Sequence, residues 1–361
     1  MKVLHVITGL GIGGAEQQLS LLLPHMSGVR SSVVTLTNPG PVADALRAAG
    51  VPVAHLGMRG NRDLSALPRL TRLIRHGAFD VVHTHLYRAC VYGRLAAKLA
   101  GVRAVVATEH SLGAAQIEGR RLSRGARALY LASERLGTST VAVSDTVARR
   151  LADWGVRPGR IRVVPNGIDV ERFAYDPRAR RAVRERLGLP PGAYVVGGVG
   201  RLAPGKRFGT LIRAVAAVPG ARLLLVGEGE ERERLERLAR ECGAADRVVW
   251  AGGVPAHGLP GLLSAMDLFV STSADEAFGL AIVEALAAGL PVRYVACPAL
   301  DDLPPGEAPG ARRIGGTVAD VVAALEPDNR ERLPVPAAVH RYDIARSARQ
   351  LMSLYDEVSC R

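Results

Sequence analysis

Aromatic side chains are scarce in this chain, at 4% of 361 residues. Proteins that hold single strands stack bases on aromatic platforms, so this composition argues against nucleic-acid stacking and against sugar recognition on aromatic faces. Cysteine is rarer still. Cys90, Cys242, Cys297 and Cys360 stand far apart and form no C-x-x-C pair, which argues against a zinc site or a disulfide framework and fits a reducing cytosol. No stretch of about 18 apolar residues exists, so no spanning helix is expected. The apolar run Met1–Ile7 is too short for a signal peptide and runs into Gly9, Gly11, Gly13 and Gly14. No D-x-D metal motif occurs; Asp301 and Asp302 are adjacent rather than spaced.

What is present is a globular composition, 48% hydrophobic and 22% charged, long enough for two domains. The net charge of +13 favours anionic partners: nucleic acid, anionic lipid or phosphorylated small molecules. It is equally the mark of arginines spread over solvated helix faces. The densest basic stretches, Arg120–Arg135 and Arg178–Arg186, have helical character.

Short apolar runs alternate with longer amphipathic ones. Val3–Ile7, Val33–Thr37, Val81–His83, Val105–Thr108, Val141–Val143 and Ile161–Val164 read as buried strands, with helical patterns such as Ala15–Met26, Leu64–Arg75, Tyr92–Leu99 and Leu129–Leu136 between them. The rhythm restarts at Val195–Gly200. Phe208–Val218, Glu231–Cys242 and Ala281–Ala288 follow as helices, and Leu223–Val226, Val248–Trp250 and Leu268–Ser271 as strands. This alternation predicts α/β architecture with parallel sheets and helices on both faces. Pro165-Asn-Gly-Ile-Asp169 and the polar Pro/Arg segment after it read as a linker to about residue 190. Pro298–Gly316 reads as an irregular loop, and Ile344–Val358 as an amphipathic last helix. Open parallel sheets bind ligands at the carboxyl ends of their strands, so two of them place the expected ligand between the domains.

Two glycine loops follow strands and open helices. Gly9-Leu-Gly11-Ile-Gly13-Gly14 fits G-x-G-x-x-G, whose free N–H groups attract phosphate. A dinucleotide site also needs an acidic residue ending the second strand, and here that strand ends Thr35-Leu-Thr-Asn38, which weakens an NAD reading. Gly200-Arg-Leu-Ala-Pro-Gly205-Lys206-Arg207 nearly fits a nucleotide P-loop, but Arg207 stands where a magnesium-binding hydroxyl belongs. What remains is Arg201 and Lys206 beside a helix start, cations suited to a diphosphate. Further on, Glu276 and Glu284 bracket Ala-Phe278-Gly279-Leu280-Ala-Ile-Val. The backbone of Phe278, Gly279 and Leu280 can meet phosphate oxygens at a helix start. Glu284 lies among Val283, Ala285 and Leu286, where a carboxylate needs a partner. A carboxylate grips two sugar hydroxyls, so one glutamate can hold a ribose and the other a hexose.

Taken in order, these elements resemble the retaining glycosyltransferases of GT-B fold, family 4 (glycosyl transferases group 1). The resemblance covers about residues 2–295. It rests on Gly13-Gly14-Ala-Glu16, Asp80-Val-Val-His83-Thr-His85, Thr108-Glu-His110, Val164-Pro-Asn-Gly-Ile-Asp169, Val199-Gly-Arg201-Leu202 with Lys206, Leu225-Val-Gly-Glu-Gly229, and the pair Glu276 and Glu284. It implies two doubly wound Rossmann-like domains facing a central cleft. Residues 1–170 would form the acceptor side, with 340–361 packing back on it, and 171–339 the nucleotide-sugar side.

The implied activity moves a hexose from a UDP- or GDP-sugar to a hydroxyl acceptor with retention, with no cofactor and no metal. By the same resemblance Arg201 and Lys206 hold the donor diphosphate. Glu284 binds the ribose and Glu276 the sugar, Gly13 and Gly14 close on the phosphates, and His110 sits near the sugar and the incoming hydroxyl. His83 and His85 read as structural. The implied mechanism is direct front-side transfer. After Gly289-Leu-Pro-Val292 the chain departs from the family's small-residue strand, Gly-Gly turn and glutamate, reading Arg293-Tyr-Val-Ala-Cys-Pro-Ala-Leu-Asp-Asp302. That loop lies near the donor in the family, so donor identity stays open. A sugar-nucleotide epimerase and a non-catalytic sugar-nucleotide binder remain alternatives. The expected setting is the cytoplasm, with peripheral contact of Arg120–Arg127 with anionic membrane.

Overall fold

The computed structural model describes residues 1–11, 13–113, 116, 117, 120, 121, 123–325 and 331–360. The chain divides into two compact units, Met1–Gly167 with Ile344–Arg361, and Ile168–Asp343.

The first unit is built on a seven-stranded parallel sheet. Its strands are β1 (Lys2–Gly9), β2 (Arg30–Asn38), β3 (Val53–His55), β4 (Val81–His85), β5 (Ala104–Glu109), β8 (Ser139–Ala142) and β9 (Ile161–Val163); β6 (Gln116–Ile117) and β7 (Arg120–Arg121) form a separate antiparallel pair. The order is β3-β2-β1-β4-β5-β8-β9, so the strand direction of travel reverses between β1 and β4. Alternation along β1 explains how the sheet is covered. Val3 and Ile7 join Leu19, Ala348, Leu351 and Tyr355 in one core cluster, while Leu4 and Val6 join Leu36, Leu70, Ile74 and Val82 in another. The C-terminal helix Ile344–Ser359 belongs to the first of these clusters and buries Ile344, Ala348, Leu351, Leu354, Tyr355 and Val358. Gln18 ties the glycine-loop helix Gly14–Leu22 to the end of the unit: its side-chain amide donates to the Gly167 carbonyl at 2.5 Å and accepts from the Gly167 N–H at 2.8 Å.

The second unit repeats the plan. Strands β10 (Tyr194–Val199), β11 (Ala221–Val226), β12 (Val248–Gly252), β13 (Leu268–Ser271), β14 (Val292–Tyr294) and β15 (Ala311–Arg313) form a parallel sheet in the order β12-β11-β10-β13-β14-β15. The reversal falls between β10 and β13. Val196, Leu211, Val215, Leu223, Leu225, Leu235 and Val270 share a core cluster there.

Three expectations need correction. The segment read as a linker to about residue 190 lies within the second unit, whose boundary falls at residues 167 and 168, and it contains the helix Pro177–Arg186, in line with the helical character of Arg178–Arg186. Its polar sequence hides a buried anchor. Arg180 and Arg184 donate to the two Asp267 carboxylate oxygens at 2.7 and 2.8 Å, and Arg184 also reaches the carbonyls of Ala193 and Ala265. Pro298–Gly316 is not wholly irregular, since it holds the short helix Pro298–Asp301 and strand β15. Of the basic stretch Arg120–Arg135, only Arg124–Glu134 is helical, and Arg120–Arg121 is a strand. No helix among the described residues is long and apolar enough to cross a membrane.

Candidate active site

In the second unit, Lys206 and Glu276 meet at the carboxyl edge of β10 and β13, the two strands that flank the reversal, with Arg201 on the loop after β10 and Glu284 in the helix that follows Glu276. Ligands bind at that position in open α/β sheets. The loop after β10 is braced on the loop after β11. Gly200 N–H donates to the Val226 carbonyl at 2.9 Å, Leu202 N–H to the Glu228 carbonyl at 2.8 Å, and Glu231 N–H to the Leu202 carbonyl at 3.0 Å. The approach is close enough to require glycine. Gly227 has φ +138°, and a Cβ there would stand 2.0 Å from the Gly200 carbonyl oxygen.

Lys206 ends a one-turn 3-10 helix, Pro204–Lys206. Two hydroxyl residues that follow β13 fasten this turn from the other side. Thr272 Oγ1 donates to the Lys206 carbonyl at 2.8 Å, and Ser273 Oγ to the Gly205 carbonyl at 3.2 Å. Arg207, the next residue, sits at φ +53°, a conformation unusual for a side-chain-bearing residue and typical of strained functional loops. The ammonium thus positioned meets Glu276, with Lys206 Nζ 2.5 Å from Oε1. Arg201 is exposed on the same loop and makes no ion pair with a described residue.

Glu276 precedes the helix Leu280–Ala287, whose N-cap is Gly279. Gly279 has φ +102°, and a Cβ on it would lie 2.6 Å from Cys297 Sγ. Cys297 in turn donates to the Phe278 carbonyl at 3.4 Å, so Phe278, Gly279 and the strand-β14 side of the unit form one packed corner. Glu284 points from the first turns of that helix into a partly buried position. Burial raises its carboxyl pKa to about 7, opposed by the nearby positive charge of Arg172. Among the described residues it has no hydrogen-bond donor, so it is a carboxyl group held in reserve for one.

In the first unit, Gly13 is the extended N-cap of the helix Gly14–Leu22 that follows β1. Ile12, inside that glycine loop, lies outside the described residues, as do residues 114, 115, 118, 119 and, in the basic stretch Arg120–Arg135, Leu122. Arg127 of that stretch donates to the Asp153 and Trp154 carbonyls, each at 2.9 Å, so it caps the end of the helix Asp145–Trp154. His110 follows β5 and its Nε2 lies 3.1 Å from His85 Nδ1. Burial lowers the His110 pKa to about 4, so its ring is neutral at pH 7.

One group had no sequence signal read as functional. His5, His83 and His85 are buried side by side on β1 and β4. His5 Nδ1 lies 3.1 Å from His85 Nε2, while His83 bonds the Tyr355 hydroxyl at 2.6 Å and the Thr108 hydroxyl at 2.7 Å. One ring nitrogen from each of the three lies within 4.8 Å of the other two. Both nitrogens of His83 are already engaged, so the arrangement is that of a hydrogen-bonded cluster.

These features define an α/β protein of GT-B fold, two parallel-sheet units with their chemistry-bearing residues at strand carboxyl ends. The solved structure of Anabaena HepE in complex with UDP and glucose matches with a TM-score of 0.85 and 24% identity, over 99% of this chain and 100% of that one. Family models for Glycosyltransferase Family 4 and for Glycosyl transferases group 1 match residues 12–172 and 179–301. The chain is 30% identical to the 2-deoxystreptamine glucosyltransferase of Streptomyces kanamyceticus over 328 residues, 87% of this chain and 85% of that protein. It is 36% identical to the D-inositol 3-phosphate glycosyltransferase of Acidothermus cellulolyticus over 251 residues, 63% of this chain and 54% of that one. This chain therefore belongs to the group 1, family 4 glycosyltransferases.

Proposed function

We propose that this protein transfers a hexose from a UDP- or GDP-sugar to a hydroxyl acceptor with retention of configuration and without a metal. The observation that carries the reading is the Lys206–Glu276 pair, 2.5 Å apart, set beside exposed Arg201 where sheet topology puts a ligand. In this reading the ion pair exchanges partners when the donor binds: the donor diphosphate takes Lys206, and the sugar hydroxyls take Glu276. Arg201 supplies planar bidentate bonding to the phosphates. Phe278, Gly279 and Leu280 add backbone donors, and Glu284 receives the ribose hydroxyls that its unpartnered carboxyl lacks. From the first unit, Gly13 and Gly14 offer backbone N–H groups to phosphate, and His110 meets the sugar.

In the transfer step the bond between the anomeric carbon and the diphosphate oxygen breaks, and its electron pair leaves with the nucleotide. The acceptor oxygen bonds to the anomeric carbon on the same face and gives its proton to the departing phosphate. The charge that grows on that phosphate is the main cost, and fixed cations stabilise it without reorganisation. We place the work in the cytoplasm. Contact with anionic lipid through the Arg120–Arg127 region remains part of this proposal, with Arg124 rather than the helix-capping Arg127 as its cation.

A thermal-shift screen against UDP-, GDP-, ADP- and dTDP-sugars tests the donor. A rise of several degrees with a UDP- or GDP-sugar is expected; no shift with any of them refutes the reading. Incubation of the effective donor alone separates an epimerase, which would convert it with no acceptor, from the transferase.

A further inference from the structure

Lys206 carries its charge on a flexible four-carbon stem, so whatever fixes the ammonium has to act on the backbone that bears it. Three consecutive carbonyls of that turn, those of Gly205, Lys206 and Arg207, are met by hydroxyls from the end of β13. Thr272 Oγ1 lies 2.8 Å from the Lys206 carbonyl oxygen and 3.1 Å from that of Arg207, and has one proton to share between them. Ser273 Oγ lies 3.2 Å from the Gly205 carbonyl oxygen and 3.3 Å from that of Asp275. Both residues are buried, so removing either hydroxyl leaves a carbonyl short of a donor.

The Arg207 carbonyl also accepts from the Thr210 N–H at 2.9 Å. Bonded from both sides, Arg207 keeps φ +53°, a backbone that a residue with a side chain holds only where its surroundings over-determine it. The Lys206 stem runs along Gly200, where a Cβ would stand 3.4 Å from its Cε and 3.6 Å from its Cδ. Just beyond Ser273, the same segment brings Glu276 to the ammonium. One strand end thus sets both halves of the ion pair.

We propose that Thr272 and Ser273 are positioning residues for Lys206, holding its ammonium where charge grows on the departing diphosphate. This rests on the glycosyltransferase reading. A fixed cation stabilises that charge without reorganising, whereas a cation on a loosened turn has first to be brought back. The hydroxyls act through the Lys206 backbone rather than on the substrate. Their worth to the reaction therefore vanishes once the Lys206 ammonium is gone.

The test is a double-mutant cycle on nucleoside diphosphate release from UDP-glucose and from GDP-mannose, with a melting curve for every variant. Thr272→Val keeps the branched shape and removes the hydroxyl. It should lower kcat at least about 10-fold with KM changed less than about 3-fold, and Thr272→Ser should recover most of the rate. In a Lys206→Ala background, Thr272→Val should lower kcat less than about 2-fold. A merely structural hydroxyl costs the same factor in both backgrounds. That result overturns the proposal, as does wild-type kcat in a folded Thr272→Val. Should Thr272→Val fail to fold, Ser273→Ala decides in the same cycle. A wild type that releases nucleotide from neither sugar refutes the function and the positioning role together; an active wild type with additive variants refutes the positioning role alone.

Discussion

At the scale of single residues, the carboxylates of this protein answer to different forces. Glu276 is paired with Lys206 at 2.5 Å, whereas Glu284 has been pushed up to about 7 by burial. A carboxyl whose folded pKa exceeds its unfolded one binds a proton more tightly in the native state. Its contribution to stability is full below the unfolded value near 4.5 and is lost as pH rises through about 7. Glu284→Gln should therefore raise the melting temperature by a few degrees at pH 8 and change it little at pH 4. If Glu284 receives ribose hydroxyls, the same substitution should weaken nucleotide-sugar binding at least about 10-fold, a trade of function against stability. Melting curves and calorimetric titration of one variant check both. Unchanged binding would remove Glu284 from the donor site.

At the scale of elements, the helix Pro177–Arg186 shows how a polar segment is held in place. Asp267 is almost wholly buried and takes both guanidinium groups, with a third bond from the Val195 N–H at 2.8 Å. Removing it by Asp267→Ala strands Arg184 in the interior and should cost about 3–5 kcal/mol, read from denaturant unfolding. A loss under about 1 kcal/mol would mean that the helix is held by other contacts. This anchor is also where reading the sequence ran out. Long apolar strands such as β1, β10 and β11 announce themselves by hydrophobicity, and the glycine-rich turns after β1 and β10 by residue type. The run Pro177–Arg186 showed its helical character, but its burial is carried in ion pairs, which no apolar period reveals, so it looked like a solvated part of a linker. Strands β3 and β15 have three residues each and are largely exposed, too short and too polar for an alternation to show. The candidates Arg201, Lys206 and Glu276 drew attention because each stands in a loop beside a helix start, and Glu284 because it is a lone carboxylate inside an apolar helical run. His5 was not, since it looks like one polar interruption in an apolar strand. Only the strand order sets His5 opposite His83 and Ile7 opposite His85. With β1 beside β4 in mind, His5 and the H-T-H period of β4 place three imidazoles on one face.

At the scale of the whole molecule, the histidine cluster gives the protein a pH sign of its own. His5, His83, His85 and His110 all have folded pKa values below the ordinary 6.5, chiefly through burial. The unfolded chain binds these protons first, so stability is present above about 6.5 and falls as pH drops toward the folded values. Each histidine adds up to about 1.4 kcal/mol per pH unit over its window. Thermal unfolding should therefore weaken steeply between pH 6 and pH 4, opposite in sign to the Glu284 effect, and His5→Leu should flatten the slope. An equal slope in wild type and variant would deny the cluster its part. The account as a whole turns on cations of the second unit receiving the charge of a departing nucleotide. The most direct test is the rate of nucleoside diphosphate release from the effective donor, in excess EDTA, by the wild type and by Lys206→Ala. The wild type should turn over equally with and without EDTA, and the variant should be slower by at least about 100-fold with its fold intact. A wild type silenced by EDTA, or a variant at full rate, would contradict it.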